Sequence, residues 1–263
     1  MPNIDRHPAG AFVWVELGTT DQAAAKNFYT SLFGWSPNDM PMGPGEYYTI
    51  FKLEDRDTAA AYTLHPDRSG GAPPHWMLYI SVVSADDSAA RATQAGGTVL
   101  APPFDVFDAG RMAVVQDPTG ATFSLWQPKA NQGVGIAGVD GTLCWADLLT
   151  RDVPRARQFY SDLFGWEIAP GQHDPSGYLH IKNGEAFIGG MPPVGPQPGV
   201  PPHWLLYFLT SDCDASAEKA KSSGASVHYG PTTMEGVGRW AIVADPQGAV
   251  FALFQPLPHE GPA

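Results

Sequence analysis

Cysteine is almost absent from the 263-residue chain: only Cys144 and Cys213 occur. Two isolated cysteines make no disulfide framework, and a reducing compartment suits them. Charge is also scarce. Asp, Glu, Lys and Arg together supply 16% of the residues, below the roughly 25% of an ordinary globular chain. Basic residues are the scarcer kind, 15 against 27 acidic ones, for a formal charge of −12. Neutralising phosphates requires clustered Lys and Arg. No such cluster occurs, which argues against nucleic acid and against an anionic membrane surface as partners. No apolar run reaches the about 18 residues of a transmembrane helix. Residues Met1 to Gly10 lack the basic region and apolar stretch of a secretory signal, so a cytoplasmic location is expected. A phosphate-binding glycine loop, a G-x-S-x-G elbow and a cysteine pair at zinc spacing are missing too.

What is present is a duplication. Phe12-Val-Trp-Val-Glu-Leu17 recurs as Leu143-Cys-Trp-Ala-Asp-Leu148, and Phe28-Tyr-Thr-Ser-Leu-Phe-Gly-Trp35 as Phe159-Tyr-Ser-Asp-Leu-Phe-Gly-Trp166. Pro73-Pro-His-Trp76 recurs as Pro201-Pro-His-Trp204, and Arg111 through Asp117-Pro-Thr-Gly120 as Arg239 through Asp245-Pro-Gln-Gly248. The spacing is 131 residues early in the repeat and 128 later. Two domains are therefore expected, 1–128 and 142–263, joined by a linker over 129–141 rich in Gly and small residues. A Pro/Gly-rich break inside each half divides the chain further, into modules at about 12–66, 75–127, 143–195 and 203–255.

Each module reads as β-α-β-β-β, an α+β plan. Phe12 to Leu17 is a strand of β-branched and aromatic residues. Thr19-Thr-Asp-Gln22 reads as a capping box, Ala24, Phe28 and Leu32 form one helical stripe, and Gly34 stops the helix. Strands follow near Tyr47 to Leu53 and Thr58 to Leu64. In the second module the helix is expected at Asp86 to Ala95, and Asp117-Pro-Thr-Gly120 is a type I turn.

The strand, the Phe-Tyr helix, the Phe-Gly-Trp run and the closing Gly-Arg…Asp-Pro-x-Gly…Phe segment resemble the glyoxalase/bleomycin-resistance/extradiol dioxygenase family, also known as the vicinal oxygen chelate superfamily. The resemblance spans about Phe12 to Gln255. It implies four βαβββ modules paired into two tandem glyoxalase-like domains with cup-shaped mixed sheets. It also implies a divalent metal in each cup, held by His, Gln or Glu on the first and last strands of paired modules, where it polarises adjacent substrate oxygens.

The residues aligned with those ligand positions are of the wrong type. They are Trp14 and Trp145, Met77 and Leu205, Ser124 and Ala252, and a position near Ala60 or Tyr62 and near Gly190 or Met191. A two-residue slip keeps the cup-facing side and pairs Glu16 with His75 and Asp147 with His203. It offers no third ligand, because the last strand holds only Thr122, Ser124 and Trp126, or Val250, Ala252 and Phe254. A metal site needs three or four ligands, so no metal ligand and no cofactor are expected.

Glu16 and Asp147 are the candidate catalytic groups. Alternation turns them into the cups with Trp14 and Trp145, and turns Val13, Val15 and Leu17 towards the helices. In an apolar cup either carboxyl could be a general base; alternatively each is solvated or paired with an arginine. His75 and His203 could act at the cup rim or simply open their strands with the ring bonded to backbone. His180, whose counterpart is Ile50, reads as structural. Arg111 and Arg239 could bind an anionic group or pair with Glu16 and Asp147. Trp14, Tyr48, Met77, Tyr79 and Ser124 would line the first cup, and Trp145, Leu205 and Tyr207 the second. Such a lining suits an apolar or aromatic small molecule; alternatively these side chains simply fill the cup.

Two functions stay open. One is a bleomycin-resistance-like binder of such a molecule in one or two metal-free cups, serving detoxification or resistance. The other is a lyase, isomerase or hydroxylase-like enzyme acting on a small oxygenated substrate. A monomer or homodimer is expected, with a small-molecule ligand and with neither nucleic acid nor membrane as partner.

Overall fold

The structure is a computed structural model and describes residues 3–67, 70–171 and 176–257. Four βαβββ units follow one another. The first comprises β1 (Phe12–Thr19), α1 (Gln22–Phe33), β2 (Ser36–Gly43), β3 (Glu46–Leu53) and β4 (Arg56–Thr63). The second comprises β5 (His75–Ser81), α2 (Ala85–Gln94), β6 (Thr98–Val106), β7 (Gly110–Gln116) and β8 (Thr122–Pro128). The third comprises β9 (Leu143–Leu149), α3 (Val153–Phe164), β10 (Glu167–Pro170), β11 (Leu179–Asn183) and β12 (Ala186–Met191). The fourth comprises β13 (His203–Leu209), α4 (Cys213–Ser222), β14 (Ser226–Met234), β15 (Gly238–Ala244) and β16 (Val250–Pro256).

Consecutive units pair. The first sheet runs β2-β3-β4-β1-β5-β8-β7-β6 and the second β10-β11-β12-β9-β13-β16-β15-β14. Within a unit the first and last strands are parallel; the two units of a sheet meet at an antiparallel seam, β1 with β5 and β9 with β13. That seam places Glu16 opposite Met77 and Asp147 opposite Leu205.

Local chemistry sets the helices. The α1 cap is Asp21, which accepts from Ala24 N, rather than Thr19 of the expected capping box. Gln22 does not close the box. Its amide instead reaches across to Thr49, Thr63 and the Ala61 carbonyl. Gly34 ends α1 at φ 73°, a left-handed conformation that glycine adopts without Cβ strain. Gly165 repeats this after α3 at φ 72°.

The main core lies between the helix-bearing faces of the two sheets, so the cups open away from each other. Val15, Leu17, Phe28 and Trp35 share this core with Leu148, Phe159, Trp166 and Phe208. The Phe33 ring packs at a tilt against Phe208, 5.3 Å between centroids, and Phe12 meets Trp204 edge-on at 5.6 Å. The conserved geometry of the two Asp-Pro-x-Gly turns acts here as well. Asp117 Oδ1 accepts three backbone N–H groups of its own turn, while Oδ2 accepts the Tyr160 hydroxyl of the other half at 3.0 Å. Asp245 and Tyr29 reproduce the contact in the opposite sense, also at 3.0 Å.

Val13 departs from simple alternation. A bulge between Phe12 and Trp14 turns it towards the first cup, where it packs with Trp14 and Trp126 instead of facing the helices. Among the described residues, no helix is long and apolar enough to cross a membrane.

Candidate functional site: two aromatic cups

Both cups are built around one carboxyl on the central strand. In the first, Glu16 Oε2 accepts the Tyr48 hydroxyl at 2.7 Å and Oε1 accepts the Tyr79 hydroxyl at 3.1 Å. Trp14 Nε1 donates to the Tyr48 hydroxyl at 3.1 Å. In the second, Asp147 Oδ1 accepts Tyr178 at 2.6 Å and Trp145 Nε1 at 3.0 Å, and Oδ2 accepts Tyr207 at 2.9 Å. A glutamate in one half and an aspartate in the other thus hold the same arrangement.

The electrostatics match in both halves. Burial pushes the Glu16 and Asp147 carboxyls above their ordinary range, and the tyrosine donors only partly oppose that. The tyrosines move further from ionisation: burial first, and then the adjacent carboxylate, push Tyr48 and Tyr79 well up, and Tyr62 up to about 12. Cys144 lies in the second cup with its thiol pushed up to about 12 by burial, so it is no nucleophile at neutral pH.

Several expected residues do converge. Trp14, Tyr48, Met77 and Tyr79 cluster in the first cup, and Trp145, Leu205 and Tyr207 in the second. Ser124 lies beside Tyr79 in register, fully buried, with no hydrogen-bond partner for its hydroxyl. His75 and His203 sit at the rims, each donating Nδ1–H to a proline carbonyl, Pro73 at 2.8 Å and Pro201 at 2.9 Å.

Arg111 and Arg239 require correction. Met112 faces the first cup while Ala113 and Val115 face the helix-side core. Alternation therefore puts Arg111 on the helix face, and Arg239 follows it. Arg111 grips Asp86 of α2 with both carboxylate oxygens, at 2.7 and 2.9 Å. Arg239 grips Asp214 of α4 in the same way. Neither pairs with Glu16 or Asp147, and neither reaches a cup.

Four cup residues escaped the sequence reading. Tyr62 was named only as standing near an aligned ligand position, and Tyr178 and Trp240, the latter in the second cup beside Tyr207, were not singled out. His180 read as structural. It stands in the second cup wall, with its ring 5.0 Å from Tyr178, 5.5 Å from Phe187 and 6.4 Å from Trp145. A signal existed: Tyr178 follows Tyr48 by the same 130 residues that separate His180 from Ile50.

The donor set does not suit a divalent metal. Among the described residues, no three His, Cys, Asp or Glu side chains converge. The cup-centre carboxyls Glu16 and Asp147 already accept two and three protein donors respectively. Two open hollows lie elsewhere. One of about 300 Å³ sits beneath the linker by Lys52, Arg56 and Asp57, and one of about 490 Å³ sits beside α3 near Arg157 and Leu179. Lys52 and Arg56 are already ion-paired, and neither hollow gathers reactive groups, so the cups are the candidate site.

The fold has clear counterparts. Residues 11–125 and 142–253 each match the model of the Glyoxalase/Bleomycin resistance protein/Dioxygenase superfamily. The chain is 42% identical to the glyoxylase-named protein CFP32 of Mycobacterium bovis, over 99% of this chain and 100% of that protein. It is 34% identical to the anthracycline biosynthesis protein DauV of Streptomyces sp. strain C5, over 96% of this chain and 95% of that one. Its fold matches a Mn(II)-bound glyoxalase from Novosphingobium aromaticivorans with a TM-score of 0.68 at 15% identity, covering 98% of this chain and 84% of that one. With both halves matched and full-length relatives above 30% identity, the chain belongs to the Glyoxalase/Bleomycin resistance protein/Dioxygenase superfamily.

Proposed function

We propose that the protein binds a small planar aromatic molecule in its cups, without a divalent metal. One observation carries the reading: in both halves the central carboxyl is committed to tyrosine hydroxyls, and Trp14, Met77 and Ser124 in one half, Trp145, Leu205 and Ala252 in the other, occupy positions that would otherwise hold metal ligands. A flat apolar ligand needs such walls and a few fixed polar atoms. Apolar side chains left open at the cup edges support this. Met40 and Phe104 of the first sheet are 46% and 45% exposed, and Phe187 and Tyr229 of the second are 58% and 51% exposed. A relative named for anthracycline biosynthesis points the same way, since an anthracycline is itself a fused, oxygenated aromatic.

One observation favours a second reading, an acid–base enzyme. Asp147 has a carboxyl raised by burial and an imidazole, His180, close enough to act on it electrostatically. A titration with a dihydroxyanthraquinone, followed by tryptophan fluorescence, separates the two. The binding reading expects saturable quenching and quantitative recovery of the unchanged probe after long incubation. Conversion of the probe that disappears in Asp147→Asn would instead establish the enzyme.

A further inference from the structure

The first cup has two ends. At one, the linker returns onto β1 after β8. The Asn131 carbonyl accepts Trp126 Nε1 at 3.1 Å, and Val134 N donates to the Val13 carbonyl at 2.9 Å. The Val134 side chain packs with Val13, Trp14 and Trp126, and all four are buried. At the other end, around Gly18, the side chains of Glu16, Met77, Tyr62 and His75 are half-buried. The polar surface that a ligand can reach lies at this second end.

Strand register explains why these groups meet. Gly18 stands opposite His75 across the β1–β5 seam and beside Tyr62 of β4. Alternation puts all three on the cup face with Glu16. Gly18 brings no side chain into the space between the other two. A Cβ there would stand 3.0 Å from Tyr62 Oη and 3.2 Å from His75 Cε1, so a hydroxyl and an imidazole border one gap.

Both groups keep a polar atom free. Tyr48 and Tyr79 use their hydroxyls on Glu16. Tyr62 feels Glu16 only through its charge. Burial first, and then that charge, push the Tyr62 hydroxyl up to about 12, so it keeps its proton and is a donor at neutral pH. In His75 the Nδ1 partner is the Pro73 carbonyl, which can only accept. Nδ1 therefore carries the proton, and Nε2 of the neutral ring presents a lone pair. One donor and one acceptor face the same gap.

The second cup differs here. Leu149 stands opposite His203, and Pro192 takes the place of Tyr62, because Gly190 lies beside Asp147 as Ala60 lies beside Glu16. Asp147 and Leu205 are buried where Glu16 and Met77 are half-buried. Two apolar side chains, and no hydroxyl, accompany His203.

We infer that Tyr62 and His75 form the polar subsite of the first cup and that its ligand is a phenol, whose hydroxyl donates to His75 Nε2 and accepts from Tyr62 Oη. This rests on the proposed binding function and names the polar group of the ligand and the cup that reads it. A hydroxyl fills both roles with one atom. An ether or ketone oxygen can only accept, and leaves His75 Nε2 without a partner. The ring is left facing Met77, two residues along the same face of β5, a soft contact suited to an aromatic.

Calorimetric titration of the full chain with 2-hydroxyanthraquinone and with 2-methoxyanthraquinone tests the inference. The two probes share a ring system, and only the first can donate. The wild type is expected to prefer the hydroxyl probe by about tenfold. His75→Asn keeps a donor for the Pro73 carbonyl but removes Nε2, and is expected to abolish the preference. Tyr62→Phe is expected to weaken the hydroxyl probe by about fivefold with the melting temperature preserved, since that hydroxyl holds nothing in the protein. Equal affinities for the two probes, an undiminished preference in His75→Asn, or wild-type affinity in Tyr62→Phe would overturn the inference while leaving the binding function standing. No binding of either probe by the wild-type chain would overturn both.

Discussion

At the residue scale, the carboxyls of Glu16 and Asp147 set the character of the cups. Burial is the largest influence on each and raises both. The consequence for stability has a definite sign. An acid whose folded pKa lies above its unfolded value keeps its proton longer in the folded state, so its contribution falls as pH rises from the unfolded value towards the folded one. For Asp147 that window opens at the ordinary value of 3.8 and extends upward. Asp147→Asn removes the titration. The melting temperature of the wild type relative to Asp147→Asn is therefore expected to be higher at pH 4 than at pH 8. A difference that is constant across this range, or that grows with pH, would show that the carboxyl is not raised.

Gly190 makes the second network possible, because a Cβ there would run into the Tyr178 hydroxyl and ring. Gly190→Ala is expected to push that hydroxyl off Asp147 and to cost about 1–3 kcal/mol, as overpacking typically does. Urea unfolding measures it, and an unchanged midpoint would contradict the assignment. At this scale the sequence was legible where the repeat was exact. Trp14, Glu16 and Tyr79 and their partners could be placed in the cups from alternation and the 131- and 128-residue spacings. Tyr178 was not read, because a one-residue change in spacing within the third module hides it. The arginines were misplaced because the strand they occupy was located but its facing was not.

At the element scale, the α+β plan and the four-fold βαβββ order were readable, since strand, cap and glycine stop recur in fixed order. Two features were not. The bulge that turns Val13 inward is a backbone event without a residue signature. The linker was recognised as a small-residue break, but nothing in its composition says that it folds back onto Val13. Gly133 combines a φ of 108° with a Cβ position already occupied, so substitution there is strained twice over. Gly133→Ala is expected to lower stability by about 1–3 kcal/mol and to raise hydrogen exchange in residues 131–136 selectively. Uniform exchange throughout the chain, with no local change, would show that the linker is not seated on the first cup.

At the scale of the whole molecule, the halves are fastened by reciprocal buried contacts: Tyr29 with Asp245 and Tyr160 with Asp117. Each tyrosine hydroxyl also accepts a tryptophan N–H, from Trp76 and from Trp204, both at 3.1 Å. With the core continuous across the junction, the two halves are expected to unfold in one calorimetric transition. Tyr160→Phe strands Asp117 Oδ2 and Trp204 Nε1 and is expected to cost about 1–3 kcal/mol, or several degrees of melting temperature for a chain of this size. Two resolved transitions in the wild type would contradict a shared core. The pairing of consecutive modules could not be read from the repeat, because every module carries the same plan and either pairing would bury the same stripes.

The central claim is that the cup carboxylates are committed to tyrosines and not to a metal. Elemental analysis tests it most directly. The chain is purified without chelator or His-tag, incubated with Ni, Zn, Mn or Fe(II), desalted and measured. The account predicts no retained metal above background. Near-stoichiometric metal in the wild type that is lost in Glu16→Gln or Asp147→Asn would contradict it.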